Sequence, residues 1–69
     1  MHSFKLKGDF IELDNLLKTL HLVGSGPEAK QHILASEVKV NGEVELRVRR
    51  KLRVGDAVEF GENRITIVT

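Results

Sequence analysis

The sequence predicts an α+β domain in which two short N-terminal helices pack on a small antiparallel sheet. Three observations predict it. Leu13, Leu16, Leu17 and Leu20 recur at i, i+3, i+4 and i+7, which lines up one apolar face of a helix. From Glu37 the apolar period drops to two, with Val38 and Val40 alternating with Glu37 and Lys39, the pattern of a strand with one buried face. The dipeptides Asn41-Gly42 and Gly55-Asp56 then cut the second half into short segments, as turns between strands do.

The elements follow in order. Phe4 and Leu6 alternate with Lys5 and Lys7, so Ser3 to Lys7 reads as a first strand that Gly8 breaks. The first helix begins between Asp9 and Leu13, with Asp9 or Asp14 near the positive end of its dipole. The second runs from about Pro27 to Ala35. Ser25 and Glu28 have the spacing of a capping box, and Pro27 falls in the first turn, where a missing N–H leaves no bond unmade. Ala29 and Ile33 form its buried side, flanked by Leu34, while Lys30 and Gln31 face solvent. In the hairpin that follows, a two-residue Asn41-Gly42 loop sets Val40 opposite Glu43. It also puts Val44, Leu46 and Val48 on the wrong face, so the pattern favours a three-residue loop with a bulge. By the same reasoning a four-residue loop from Gly61 to Arg64 pairs Phe60 with Ile65 and Val58 with Ile67.

Composition bounds the function. The 69 residues leave room for one domain, 1–69, with a thin core. Its 41% hydrophobic residues are normal for a globular chain. The absence of Cys excludes disulfides, thiolate metal ligands and Cys nucleophiles and suits a reducing cytoplasm. No apolar run approaches the ~20 residues of a membrane span, and the polar N-terminus is unlike a signal peptide. A soluble, cytoplasmic monomer with no membrane partner is the expectation.

Net charge is only +1, but its distribution is uneven. Arg47, Arg49, Arg50, Lys51 and Arg53 crowd into seven positions without an acid among them; with these five cations set aside, the rest of the chain carries −4. If Arg47 to Val54 is extended, Arg47, Arg49, Lys51 and Arg53 project to one side while Val48, Leu52 and Val54 anchor the other. Cations on one side of a strand repeat at about 6.5 to 7 Å, close to the spacing of successive phosphates, and Arg grips phosphate oxygens in pairs. A solvated strand edge is the plainer reading, but edge protection needs one or two charges. Phe4, Phe10 and Phe60 all sit on apolar faces, and Tyr and Trp are absent. The expectation is therefore contact with the backbone and groove shape of a structured RNA rather than stacking on single strands, although charge alone does not separate RNA from DNA.

Nothing in the sequence points to an enzyme. His2, His21 and His32 lack metal-ligand spacing, capping accounts for Ser25, and Gly24-Ser25-Gly26 lacks the Gly-Lys-Ser/Thr ending of a phosphate loop. No cofactor and no small-molecule substrate are expected.

Taken together, Leu13-Asp14 with Leu17, then Ser25, Ala29-Lys30 and Ile33, Val38-Lys39-Val40-Asn41-Gly42, and Leu52 with Gly55-Asp56 and Val58 resemble the S-four domain. This αL RNA-binding module is named for a small-subunit ribosomal protein and is also appended to pseudouridine synthases and tyrosyl-tRNA synthetases. The resemblance covers roughly residues 11–60 and is closest to short bacterial proteins made of this domain alone. It implies non-catalytic binding of ribosomal RNA, its precursor or tRNA through Ser25, Lys30, Lys39 and Asn41, joined by Arg47, Arg49, Arg50, Lys51 and Arg53. Two positions depart from the pattern: Gly26 stands where an Arg commonly follows the Ser, and Ser36 stands where a Gly commonly ends the second helix. The turn motifs also resemble sulfur-carrier proteins of the ubiquitin-like β-grasp fold. Those carriers act through a C-terminal Gly-Gly, whereas this sequence ends Ile67-Val68-Thr69. A module for an acidic protein partner is the third reading of the arginine row.

Overall fold

A computed structural model describes residues 2–69. Seven strands and two helices follow in the order β1 (His2–Lys5), β2 (Ile11–Glu12), α1 (Leu13–Thr19), α2 (Gly26–Leu34), β3 (Val38–Val40), β4 (Glu43–Val44), β5 (Lys51–Leu52), β6 (Ala57–Phe60) and β7 (Asn63–Val68). Five strands form one sheet in the order β1-β7-β6-β3-β4, and β2 pairs with β5 separately. The expected α+β class is present, but the sheet is mixed: β1 lies parallel to β7, and the other pairings are antiparallel.

The core forms where the two helices meet the sheet. Leu13, Leu16 and Leu17 from α1, Ala29 and Ile33 from α2, and Val38, Val58, Ile65 and Ile67 from the strands are buried in one cluster. Burial of apolar area at about 25 cal/mol per Å² is the main force on so small a chain. Leu20, the fourth member of the predicted face, lies past the end of α1 and is only half-buried.

The Ser25 cap forms as predicted, its hydroxyl accepting from the Glu28 N–H at 3.2 Å. Glu28 reaches back in turn, but to the Gly24 N–H rather than that of Ser25. Both helices close in the same way. After α1, the His21 N–H donates to Lys18 and the Leu22 N–H to Leu17; after α2, the Ser36 N–H donates to Ile33 and the Glu37 N–H to His32. These are Schellman closures, which place one residue in the left-handed region. His21 (φ 59°) and Ser36 (φ 65°) occupy it, so α2 ends as a glycine would have ended it, on a serine.

Both predicted hairpin loops are shorter than expected. Val40 pairs with Glu43, so the first loop is Asn41-Gly42 alone, with both residues at positive φ (53° and 87°) as a type I′ turn requires. Phe60 pairs with Asn63 and Val58 with Ile65, leaving Gly61-Glu62 as a two-residue loop with Gly61 at φ 61°. The first correction matters for function. With the two-residue register Val44 and Leu46 are exposed and Glu45 is the buried residue; the sequence pattern had traded an unfavourable burial for a longer turn.

The two motif turns are joined. The Asn41 side chain donates to Asp56 at 3.0 Å and accepts from the Ala57 N–H at 2.9 Å. Asp56 in turn accepts from the Arg53 N–H at 2.8 Å. Partial burial raises the Asp56 carboxyl, but the bonds from Arg53 and Asn41 outweigh it and hold the group below its ordinary value.

Candidate nucleic-acid interface

The basic run does not form the straight strand that its alternation suggests. Its first half is a turn, closed by the Arg50 N–H donating to the Arg47 carbonyl, and only Lys51–Leu52 is a strand. Two sets of bonds shape it. At one side, α1 lacks a side-chain cap at Glu12, and its first N–H groups find the loop instead: Leu13 donates to the Arg50 carbonyl at 2.9 Å and Asp14 to the Val48 carbonyl at 3.1 Å. These are donors that a helix start leaves unpaired, so the loop backbone completes the helix and is fixed by it. At the other side lies Glu45.

Glu45 is the only buried charged residue among those described, at 7% exposure. Its carboxylate accepts from the Arg47 backbone N–H, from Arg47 Nε and Nη2 at 3.0 Å each, and from Arg50 Nη1 at 2.6 Å. The bonds from Arg47 hold its carboxyl down at about 2 against the opposing effect of burial, with Arg50 adding to the lowering. Arg47 is raised reciprocally. A buried charge is tolerated only when it is paired and hydrogen-bonded, and here two guanidiniums satisfy one carboxylate. The five-cation run thus has a counter-ion two residues before its start, which the sequence reading missed. The signal was present: Asn-Gly strongly prefers a two-residue loop, and that register turns Glu45 inward beside Arg47.

The remaining cations divide by position. Among the described residues Lys30, Arg49, Lys51 and Arg53 have no carboxylate within ion-pair distance, and all four are exposed. Arg49 and Lys30 line one shallow depression between α2 and the loop, with Gly26, Pro27, Val48 and Asp14. Arg49, Lys51 and Arg53 line the next, with Arg47 and Arg50. Asn41 shares a third with Arg47 and Arg50, but its amide is committed to Asp56 and Ala57, and the Ser25 hydroxyl is committed to its helix. Lys39 does not join this surface. It sits between buried Val38 and Val40 and so projects from the opposite face of the sheet, beside Glu59 and Val44 on the neighbouring strands. A Cβ at Gly26 would meet nothing within 4 Å, so the position of the common Arg is open space at the rim of the Lys30–Arg49 depression.

Phe10, expected on an apolar face, is 40% exposed, with Lys51 Nζ 4.9 Å from its ring centroid. Among the described residues no group of three or more His, Asp or Glu side chains is placed to hold a metal, and no helix is long and apolar enough to cross a membrane.

Residues 4–68 match the family model of the S4 domain. The chain is 39% identical over 69 residues to the "Putative RNA-binding protein YbcJ" of Escherichia coli strain K12, with 99% of each chain covered. It matches the YbcJ protein of Shigella flexneri to the same extent. The solution structure of the Escherichia coli YbcJ, described as an αL motif involved in RNA-binding, superposes with a TM-score of 0.75 at 38% identity, covering 100% of this chain and 89% of that one. This displaces the sulfur-carrier reading of the two turn motifs. Since the match runs through both helices and every turn that shapes the basic surface, the chain belongs to the S4 domain family.

Proposed function

We propose that this chain binds structured RNA without catalysis, holding backbone phosphates with Lys30, Arg49, Lys51 and Arg53 while Arg47 and Arg50 remain on Glu45. The observation that carries the reading is the depression shared by Lys30 of α2 and Arg49 of the loop. It makes the helix and the arginine row one surface rather than two. RNA binding is what the YbcJ structure is said to serve, and family membership extends it to this chain. Phosphates supply the complementary charge, and Arg and Lys differ there as fork and point charge. Ser25 and Asn41 serve by holding the frame, and Lys39 lies outside the main contact. Ribosomal RNA, its precursor or tRNA in the cytoplasm are the targets this reading favours, bound by a monomer of one domain.

The test is the double variant Lys30→Glu/Arg49→Glu in a filter-binding assay. Affinity falls by about a hundredfold at low salt with an unchanged melting temperature, since both side chains are exposed. Four phosphate contacts at about 0.7 to 0.9 each give a log–log salt slope of roughly −3 to −4. Undiminished binding by the variant would reject this face, and a flat salt response would favour an acidic protein partner.

A further inference from the structure

We infer that the cleft beside Phe10 takes an unpaired base of the RNA, so that the interface continues from the arginine loop onto a single-stranded segment. The inference rests on the RNA-binding reading and extends it to a part of the molecule that the sequence had set aside.

The geometry comes from the small β2–β5 ribbon. Phe10 immediately precedes β2, and pairing of Glu12 with Lys51 brings the two strands' side chains together. Lys51 thereby stands over the Phe10 ring, at 4.9 Å from its centroid, within the range of a cation–π contact. Phe10 nevertheless remains 40% exposed. Beside it opens a cleft of about 440 Å³ whose walls include Leu6, Ile11, Lys5, Lys7 and Asn15. The nearest acids in sequence, Asp9 and Glu12, do not line it. Lys5 and Lys7 are exposed and, among the described residues, form no ion pair.

An exposed aromatic ring with one lysine over it and two more on the walls of the adjoining cleft is chemically matched to a nucleotide. The base stacks on the ring, and the phosphates before and after it meet the lysines. Asn15 offers an amide to the base edge, able both to donate and to accept. An apolar peptide has no use for three lysines, and a lone phosphate has none for the ring. Continuity supplies the other half of the case. Lys51 lines the arginine depression and covers Phe10, so a strand leaving a duplex held by Arg49 and Arg53 reaches the ring past one shared cation. Unpaired bases are the part of RNA that side chains read most readily.

The experiment compares a short blunt RNA hairpin with the same hairpin carrying a single-stranded uridine tail. Stacking of one base corresponds to about 5- to 150-fold in affinity, and we expect the tail to add about tenfold for the wild-type protein. Phe10→Leu keeps apolar bulk in the cleft and loses the tail's contribution while binding the blunt hairpin normally; Phe10→Trp retains it. With 4-thiouridine in the tail, photocrosslinks fall in the tryptic peptide that contains Phe10. Equal binding of the two RNAs by the wild type, or equal loss of both in Phe10→Leu, overturns the inference and leaves the duplex-binding reading standing. Failure of the wild type to bind either RNA overturns both. Displacement of the tail by polyglutamate as readily as by oligouridylate assigns the cleft to an acidic protein and overturns it too.

Discussion

The helix-and-sheet body and the loop from Glu45 to Arg50 are ordered by different forces. In the body, leucines, valines and isoleucines from both helices and the strands close on one another, and its polar requirements are met by backbone ladders and by the helix closures. The loop has no regular secondary structure, and its one buried side chain is a carboxylate holding two guanidiniums. Apolar burial is indifferent to proton and salt concentration over a wide range; an ion-paired carboxylate is not. Of the cations proposed to meet RNA, Arg49 therefore stands on the part of the molecule whose order depends on solution conditions and Lys51 and Arg53 follow directly after it, while Lys30 stands on α2, in the body whose order does not depend on them.

The largest expected effect lies in the body. Ile33 is fully buried between α2 and the sheet, and Ile33→Ala removes apolar contacts and leaves a cavity, at about 3 kcal/mol. For so short a chain that is a large share of the total stability and about 15 °C in melting temperature. Chemical denaturation measures it directly. A loss below about 1 kcal/mol would break the comparison, because it would mean that the body does not depend on its core.

Glu45 comes next. Its folded-state pKa, about 2 against an ordinary 4.5, means that the folded chain binds protons more weakly there than the unfolded chain does. The stabilisation is complete above the ordinary value and drains away as pH falls from about 5 towards 2, on the order of 3 kcal/mol in all. Asp56, also lowered, acts in the same direction. Glu45→Gln keeps the shape but leaves Arg47 and Arg50 without their charge partner. The variant is less stable by about 2 to 3 kcal/mol at pH 7, and the gap closes on acidification. Denaturant midpoints for both proteins across this pH range test it; a gap that stays constant down to pH 2 would show that the carboxylate's charge is not what orders the loop.

The same division explains what the sequence made legible. The leucine face of α1, the Ser25 cap, Pro27 and the alternation around Val38, Val40 and Val58 are local signals, and the elements they predict are present. The motif turns were legible as motifs, but not the bond that Asn41 makes to Asp56 across fifteen positions, since nothing local announces it. Glu45 was misread for a different reason. Burial of a carboxylate is unfavourable in isolation, so periodicity favoured an extra loop residue over an inward Glu. Only the arrival of Arg47 and Arg50 makes that burial acceptable, and their arrival depends on a turn that the alternation of Arg47 to Val54 conceals. The donors of α1 that hold this turn are likewise invisible until helix and loop are adjacent. Phe10 belongs to the same class. Whether its ring is covered or open is decided by the β2–β5 pairing, not by its apolar neighbours Leu6 and Ile11.

The smallest effect concerns the two helix ends, where sequence and structure disagree in an instructive way. Helices that close by the Schellman pattern usually carry Gly at the left-handed position, and neither end here has one. His21 and Ser36 both hold positive φ, a conformation that costs a side-chain-bearing residue roughly 1 kcal/mol. Ser36 is exposed and its hydroxyl makes no hydrogen bond among the described residues, so nothing there compensates the strain. Gly loses more chain entropy on folding, and the net gain from Ser36→Gly is about 0.5 kcal/mol, a few degrees in melting temperature. RNA affinity is unaffected, because α2 keeps its length and Lys30 its place. Ser36→Ala is the control: it retains the Cβ and gains nothing. If Gly stabilised no more than Ala, the closure of α2 would owe its geometry to the packing of Ile33 and Val38 on either side, and the body's hold on its own backbone would be stronger than the φ angles suggest.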